Sequence, residues 1–120
     1  MYEEKLKYFD KAINWLSGKL YSELKSFHTE HENPSSFNNK STGGQVQPDI
    51  SFKLNNAGQY YMEISLKTDQ VQALVTKWKL LSMMASMKRG KLYLLAPKGH
   101  KMFTQKLVQD YNINAIIYSL

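Results

Sequence analysis

The apolar positions of the first quarter of the chain fall at helical spacing. Leu6, Phe9, Ile13, Leu16, Leu20, Leu24 and Phe27 are separated by 3, 4, 3, 4, 4 and 3 residues. That is one stripe on an α-helix, and it predicts a single long amphipathic helix. Glu3 and Glu4 stand in its first turn, where the helix dipole favours acids. Ser17-Gly18 inside the stripe predicts a bend, because Gly in a helix costs ~1 kcal/mol relative to Ala. Trp15 lies beside the stripe and reads as packing. Residues 28–47 follow no period, and predict a long polar loop with room for one short strand.

The period then becomes two. Ile50, Phe52 and Leu54 alternate with Asp49, Ser51 and Lys53. Beyond Asn55-Asn56-Ala57-Gly58, Met62, Ile64 and Leu66 alternate with Tyr61, Glu63, Ser65 and Lys67. Two alternating runs around an Asn/Gly turn predict a β-hairpin. Gly58 suits the left-handed last position of a loop Asn56-Ala57-Gly58, which pairs Asn55 with Gln59.

Helical spacing returns at Asp69–Met87, with Val71, Leu74, Val75, Trp78, Leu81 and Ala85 inward and Gly90 as the stop after Lys88-Arg89. Lys91–Ala96 reads as a buried strand ended by Pro97. His100–Tyr111 reads as a helix and Ile113–Leu120 as a closing strand. Strands joined by helices must run parallel to their neighbours. The expected fold class is therefore α/β, a mixed sheet of four or five strands flanked by helices, in one domain spanning residues 1–120.

Composition narrows the chemistry. There is no Cys, so disulfides, thiolate zinc sites, iron–sulfur clusters and cysteine nucleophiles are excluded. The first ten residues are too charged for a secretory leader, and no apolar run is long enough for a bilayer, so the expected location is cytoplasmic. The net charge is +6, and all of the excess lies in residues 61–120. Lys77, Lys79, Lys88, Arg89, Lys91 and Lys98 lead it and make nucleic acid, DNA above all, the expected partner. Solubility alone is the plain alternative. A homodimer is an open alternative to the monomer.

Parity supplies the candidate chemistry. With Asn55 opposite Gln59, Ser51 faces Glu63 and Asp49 faces Ser65; any register of the same parity puts Asp49 and Glu63 on one sheet face. The two acids are then diagonal neighbours, roughly 7–8 Å apart at the backbone. Carboxylates so placed can share a hard cation such as Mg²⁺. The plain alternative makes Asp49 a strand start and pairs Glu63 with Lys53 or Lys67 across the hairpin. His28 and His31 lack the spacing of a zinc helix motif and read as solvated loop. His100, after Pro97-Lys98-Gly99, reads as a cap of the next helix, with a phosphate contact as the alternative, and Met83, Met84 and Met87 as core filler or an interface edge.

Pro48-Asp49, the hairpin, and Glu63-Ile64-Ser65 together resemble the PD-(D/E)XK nuclease superfamily, and the surrounding order is similar to archaeal Holliday junction resolvases and related small nucleases. The resemblance spans about residues 3–96 and is strongest over 47–67. It implies a restriction-endonuclease-like core and Mg²⁺-dependent, or Mn²⁺-dependent, hydrolysis of DNA phosphodiesters. In that family Asp49, Glu63 and the carbonyl of Ile64 would hold the metal. The family's Lys two residues after the Glu would position water, and here Ser65 stands in that place. Lys67, one pleat on, or Lys77 or Lys79 on the next helix, are the candidate substitutes; alternatively Ser65 suffices. An acid of the first helix, Glu23 or Glu4, would complete such a site. The other reading is a degenerate relative that binds nucleic acid or a protein partner without cutting.

Overall fold

The computed structural model describes residues 2–16, 21–26, 33–38, 45–54 and 58–120. Helix α1 spans Tyr2–Leu16, and strand β1 spans Tyr21–Ser26. Short strands β2 (Phe37–Asn38) and β3 (Gln45–Val46) pair with each other. The hairpin is β4 (Ile50–Leu54) and β5 (Gly58–Ile64). Helix α2 (Val71–Met87), strand β6 (Leu92–Ala96), helix α3 (Lys101–Asp110) and strand β7 (Ile116–Ser119) follow.

The main sheet has five strands in the order β1-β4-β5-β6-β7. The β1/β4 and β4/β5 pairs are antiparallel, and β5/β6 and β6/β7 are parallel. The expected α/β class with a mixed sheet is therefore observed, with three helices flanking five strands. Among the described residues, no helix is long and apolar enough to cross a membrane.

The long first helix is a correction. The chain is helical only to Leu16, and Tyr21–Ser26 is an edge strand on β4. Leu24 packs on the core as expected, but from a strand. A bulge between Ser22 and Lys25, with Glu23 at φ 51°, takes up the extra residue. Leu24 continues the helical spacing because a three- or four-residue step cannot distinguish a bulged strand from a turn of helix; Leu20 and Phe27 lie outside the described residues. Pairing with β4 satisfies an edge that would otherwise stay open.

The two faces of the sheet carry separate cores. On one, Phe9, Ala12 and Leu16 of α1 cover Ile50, Phe52, Met62, Ile64 and Leu95. This is the apolar hairpin face expected from the alternation. On the other, Val75, Trp78, Leu81 and Ala85 of α2, with Leu107 of α3, cover Tyr61, Leu92 and Leu94. The inner stripe of α1 is rotated from the expected one: Leu6 is 51% exposed, while Ala12 is fully buried. Phe37 and Val46 of the β2/β3 pair extend the second core, with Phe37 edge-on to Tyr61. Trp15 packs against Tyr93 and Tyr118, as a structural residue should. Met84 joins the core, whereas Met83 and Met87 are exposed.

The hairpin register is a second correction. Ser51 is opposite Tyr61, not Glu63, and Leu54 is opposite Gly58. The slip is one full pleat, so every side chain keeps its face. The turn residues Asn55, Asn56 and Ala57, together with Ser17-Gly18, His28 and His31, lie outside the described residues. After α2 the left-handed residue is Arg89, at φ 61°, not Gly90. Gly90 serves a different need: a Cβ there would overlap the Gln59 carbonyl. Gly58 likewise brings its Cα side within 2.5 Å, measured from an added Cβ, of the Arg89 carbonyl. Gln59 N–H donates to the Lys88 carbonyl and Tyr61 N–H to the Lys91 carbonyl, which closes this end of β5.

Candidate active site

Asp49 and Glu63 meet at the carboxyl end of β5, on the sheet face that α2 covers. Extending the observed register by one residue sets them directly across from each other, closer than the expected diagonal. Both are fully buried. Asp49 N–H donates to Glu63 Oε2 at 2.8 Å, and Ile64 N–H donates to Asp49 Oδ2 at 2.9 Å. The two backbones thus fix each acid by the strand that carries the other.

Each acid also holds an ammonium group. Lys5 of α1 donates to Asp49 Oδ2 at 2.8 Å and lies 3.9 Å from Glu63 Oε1. Lys77 of α2 lies 3.0 Å from Glu63 Oε1. The helices pack on opposite faces of the sheet, so the acid pair is gripped from both sides at the sheet's end. Asp49 Oδ1 has no hydrogen-bond partner among the described residues.

The electrostatics follow from this arrangement. Burial, and then the charge of Glu63, push the Asp49 carboxyl up to about 6 against the opposing pull of Lys5 and Lys77. Burial alone would raise Glu63 as well, but Lys5 and Lys77 outweigh it and hold Glu63 below its usual value. Burial works to lower Lys77, yet Glu63 and Asp49 win and keep it above its usual value. Lys77 is therefore a firm cation at neutral pH. It can stabilise negative charge and orient water, but it does not serve as a base.

Among the candidate lysines, Lys77 is the one placed at Glu63. Lys79, two residues on around the helix, is exposed. Lys67 is exposed, and its N–H donates to His100 Nδ1 at 2.8 Å. His100 sits at the first position before α3 but makes no side-chain cap, so the capping expectation gives way to a tie between α3 and the end of the hairpin. Ser65 is buried, and its hydroxyl shares a hydrogen bond with Thr104 of α3, which in turn donates to the His100 carbonyl. Its side chain is committed to structure. Lys53 pairs with Glu23 at 3.0 Å, not with Glu63.

Glu23, expected on the first helix, stands on β1 and is 61% exposed beside a different pocket, with Lys25, Phe37, Ser51 and Lys88. Glu4 is the first-helix acid near the site. With Lys5, Ile64, Lys67 and Asp69 it lines a cavity of about 280 Å³ next to the carboxylates. No third His, Cys, Asp or Glu joins Asp49 and Glu63 in a metal-ligating group among the described residues. The donor set still suits a hard cation in kind, being carboxylate oxygens of which two, Asp49 Oδ1 and Glu63 Oε1, are buried without a hydrogen-bond partner among the described residues, the second beside the Lys77 ammonium.

The remaining candidate basic residues fall at two ends of the sheet. Lys88, Arg89 and Lys91 lie at the turn before β6, beside the amino end of β5. Lys98 follows the carboxyl end of β6, on the acid side of the sheet. The two groups are separated by the length of a strand, about 3.3 Å per residue. Lys88 stands over the Phe37 ring at 5.4 Å.

Lys5 was invisible to the hydrophobic reading, which placed Leu6 in the stripe. Its signal was its spacing: Lys5, Phe9, Ala12 and Leu16 are one helical face, and the first of them is charged. Thr104 and His100 had no signal short of the fold. Comparison with protein-family models, curated proteins and solved structures returns no match for this chain.

Proposed function

We propose that the chain is a PD-(D/E)XK-type nuclease-like domain, with a restriction-endonuclease-like core, that hydrolyses DNA phosphodiesters with Mg²⁺ or Mn²⁺. The observation that carries this reading is the cluster itself: two fully buried carboxylates on one sheet face, with Lys77 3.0 Å from Glu63. A folded domain gains little from burying two acids together, since each costs desolvation energy and each repels the other. Perturbed, paired ionisable groups at the carboxyl ends of strands mark functional sites more often than structural ones.

In this reading Asp49, Glu63 and the Ile64 carbonyl would hold the ion, which would supply charge stabilisation at the phosphate and acidify water. Lys77 takes the role that Ser65 cannot: its ammonium faces the acids from α2 and lends positive charge to the reacting phosphate. Asp49 is kept in place by Ile64 N–H, and Glu63 by Asp49 N–H, so neither ligand must be ordered on binding. The cavity lined by Lys5, Lys67 and Thr68 gives the backbone of a nucleic acid an approach. Lys98 lies at the same end.

A second reading rests on a specific observation as well. Both acids already hold a lysine, and Ser65 is tied to Thr104. That suits a degenerate relative that binds nucleic acid or a protein partner without cutting. Plasmid nicking with Mg²⁺ and Mn²⁺ separates the two. The nuclease reading expects cutting that Asp49→Ala and Glu63→Ala each abolish, and that Lys77→Ala lowers by roughly 10²-fold or more while salt-dependent DNA binding persists. An inert wild type that still binds DNA supports the second reading. Cutting that survives Asp49→Ala rejects the site.

A further inference from the structure

We infer that Lys5 is a built-in counter-cation of the acid pair, which competes with a divalent ion for Asp49 and Glu63 and so sets the affinity of the site for metal. The inference rests on the proposed reading only in taking these two acids as cation ligands.

The geometry singles out Lys5 over Lys77. Lys77 contacts Glu63 alone, at 3.0 Å, whereas Lys5 lies 2.8 Å from Asp49 Oδ2 and 3.9 Å from Glu63 Oε1. Its ammonium therefore sits between the carboxylates, in the space that an ion touching both would need. Like charges that close together repel strongly in a buried setting, where water screens them little. Without a metal, the arrangement is self-consistent: two carboxylates and two ammonium groups balance in charge, and Lys5 offsets part of the cost of burying Asp49.

Entry of a divalent ion requires Lys5 to withdraw. The fold supplies the room, because Lys5 itself lines the cavity of about 280 Å³ shared with Glu4 and Asp69. Asp69 is exposed and lies on that wall, so a carboxylate is at hand for the displaced ammonium. Lys77 has no such need to move, since it reaches Glu63 from α2, on the other side of the sheet's end. The two lysines thus have different tasks: Lys77 stays, and Lys5 yields.

The test is Mn²⁺ binding, measured by calorimetry on the whole chain, with DNA absent. Lys5→Met should bind Mn²⁺ roughly tenfold more tightly than wild type, because the competing charge is gone. Lys5→Gln, which keeps a hydrogen-bond donor for Asp49, should do the same and covers a folding defect in the first variant. Adding Asp49→Ala to either should remove the gain, which locates the ion. In wild type, Mg²⁺ should shift the ¹³Cε resonance of Lys5. Equal or weaker Mn²⁺ binding by both neutral variants, or a Lys5 resonance that ignores Mg²⁺, overturns the inference. Cutting is read separately. Tighter metal binding without cutting keeps this inference and rejects the nuclease reading. Cutting with unchanged metal affinity does the reverse.

Discussion

The two ends of β5 are held by opposite means. At its amino end the strand is pressed against the α2–β6 turn by backbone alone: Gly58 and Gly90 leave out side chains, and Gln59 and Tyr61 hydrogen-bond to Lys88 and Lys91 carbonyls. Lys88, Arg89 and Lys91 of that turn are exposed, with the Lys88 ammonium over the Phe37 ring. At its carboxyl end, beyond Tyr61, the strand buries Glu63 against Asp49 and two ammonium groups. The first end is tight because nothing but hydrogen fits. The second is a polar network whose members would each be costly alone. The contrast lies in how charge is placed: the basic turn exposes its side chains and holds β5 through backbone, whereas the acid pair is buried and matched by two ammonium groups.

The largest effect is expected for Gly90→Ala. The new Cβ meets the Gln59 carbonyl, which is backbone and cannot rotate away. A loss on the order of 3–4 kcal/mol is expected in urea unfolding. A loss below about 1 kcal/mol would mean that the amino end is not sterically locked.

Lys77→Met probes the other end. It leaves Glu63 buried with Lys5 as its remaining cation, at 3.9 Å. Stability at neutral pH should fall by about 2–3 kcal/mol, and the double variant with Glu63→Gln should recover most of it. If the double variant is no better than the single one, Glu63 and Lys77 are not coupled.

The pH dependence follows from Asp49. Its folded value, about 6, lies above its ordinary 3.8. Between those values the folded state holds a proton that the unfolded state has lost, so stability falls as pH rises through the window. The fall should be on the order of 2 kcal/mol, and Asp49→Asn should flatten it. Glu63, held below 4.5, has the opposite sign, and its contribution is lost as pH falls through its own lower value. A wild-type profile that rises from pH 5 to 6 would contradict the assignment of Asp49. Smallest of the four is Ser65→Ala, which should cost about 1 kcal/mol for the Thr104 hydrogen bond. It should leave any cutting nearly intact, because Ser65 faces α3 as a structural group.

Several features were legible from the chain alone. Alternation set the hairpin, and parity set Asp49 and Glu63 on one face. That conclusion survived an error in register because a two-residue slip returns every side chain to its side. The α2, β6, α3 and β7 order was legible because each element carries its own period. The first helix ends earlier than its stripe predicts, and its inner face is turned. Leu20 and Leu24 fit a helix by spacing, while the open edge of β4 recruits Tyr21–Ser26 as a strand. Leu6 fits the stripe, while close packing on the sheet prefers the small Ala12 and turns Lys5 inward.

The sequence by itself therefore determined which residues could face which way, since side-chain direction is a local property of helix and strand. It determined the α/β class and the pairing of two acids on one face. Only the tertiary structure decided which cations meet those acids. Lys5 and Lys77 come from helices on opposite sides of the sheet, the first of them 44 residues from Asp49 and the second on the helix that follows Glu63. No spacing rule links them, because the angle and depth at which a helix sits on a sheet depend on every side chain packed between the two.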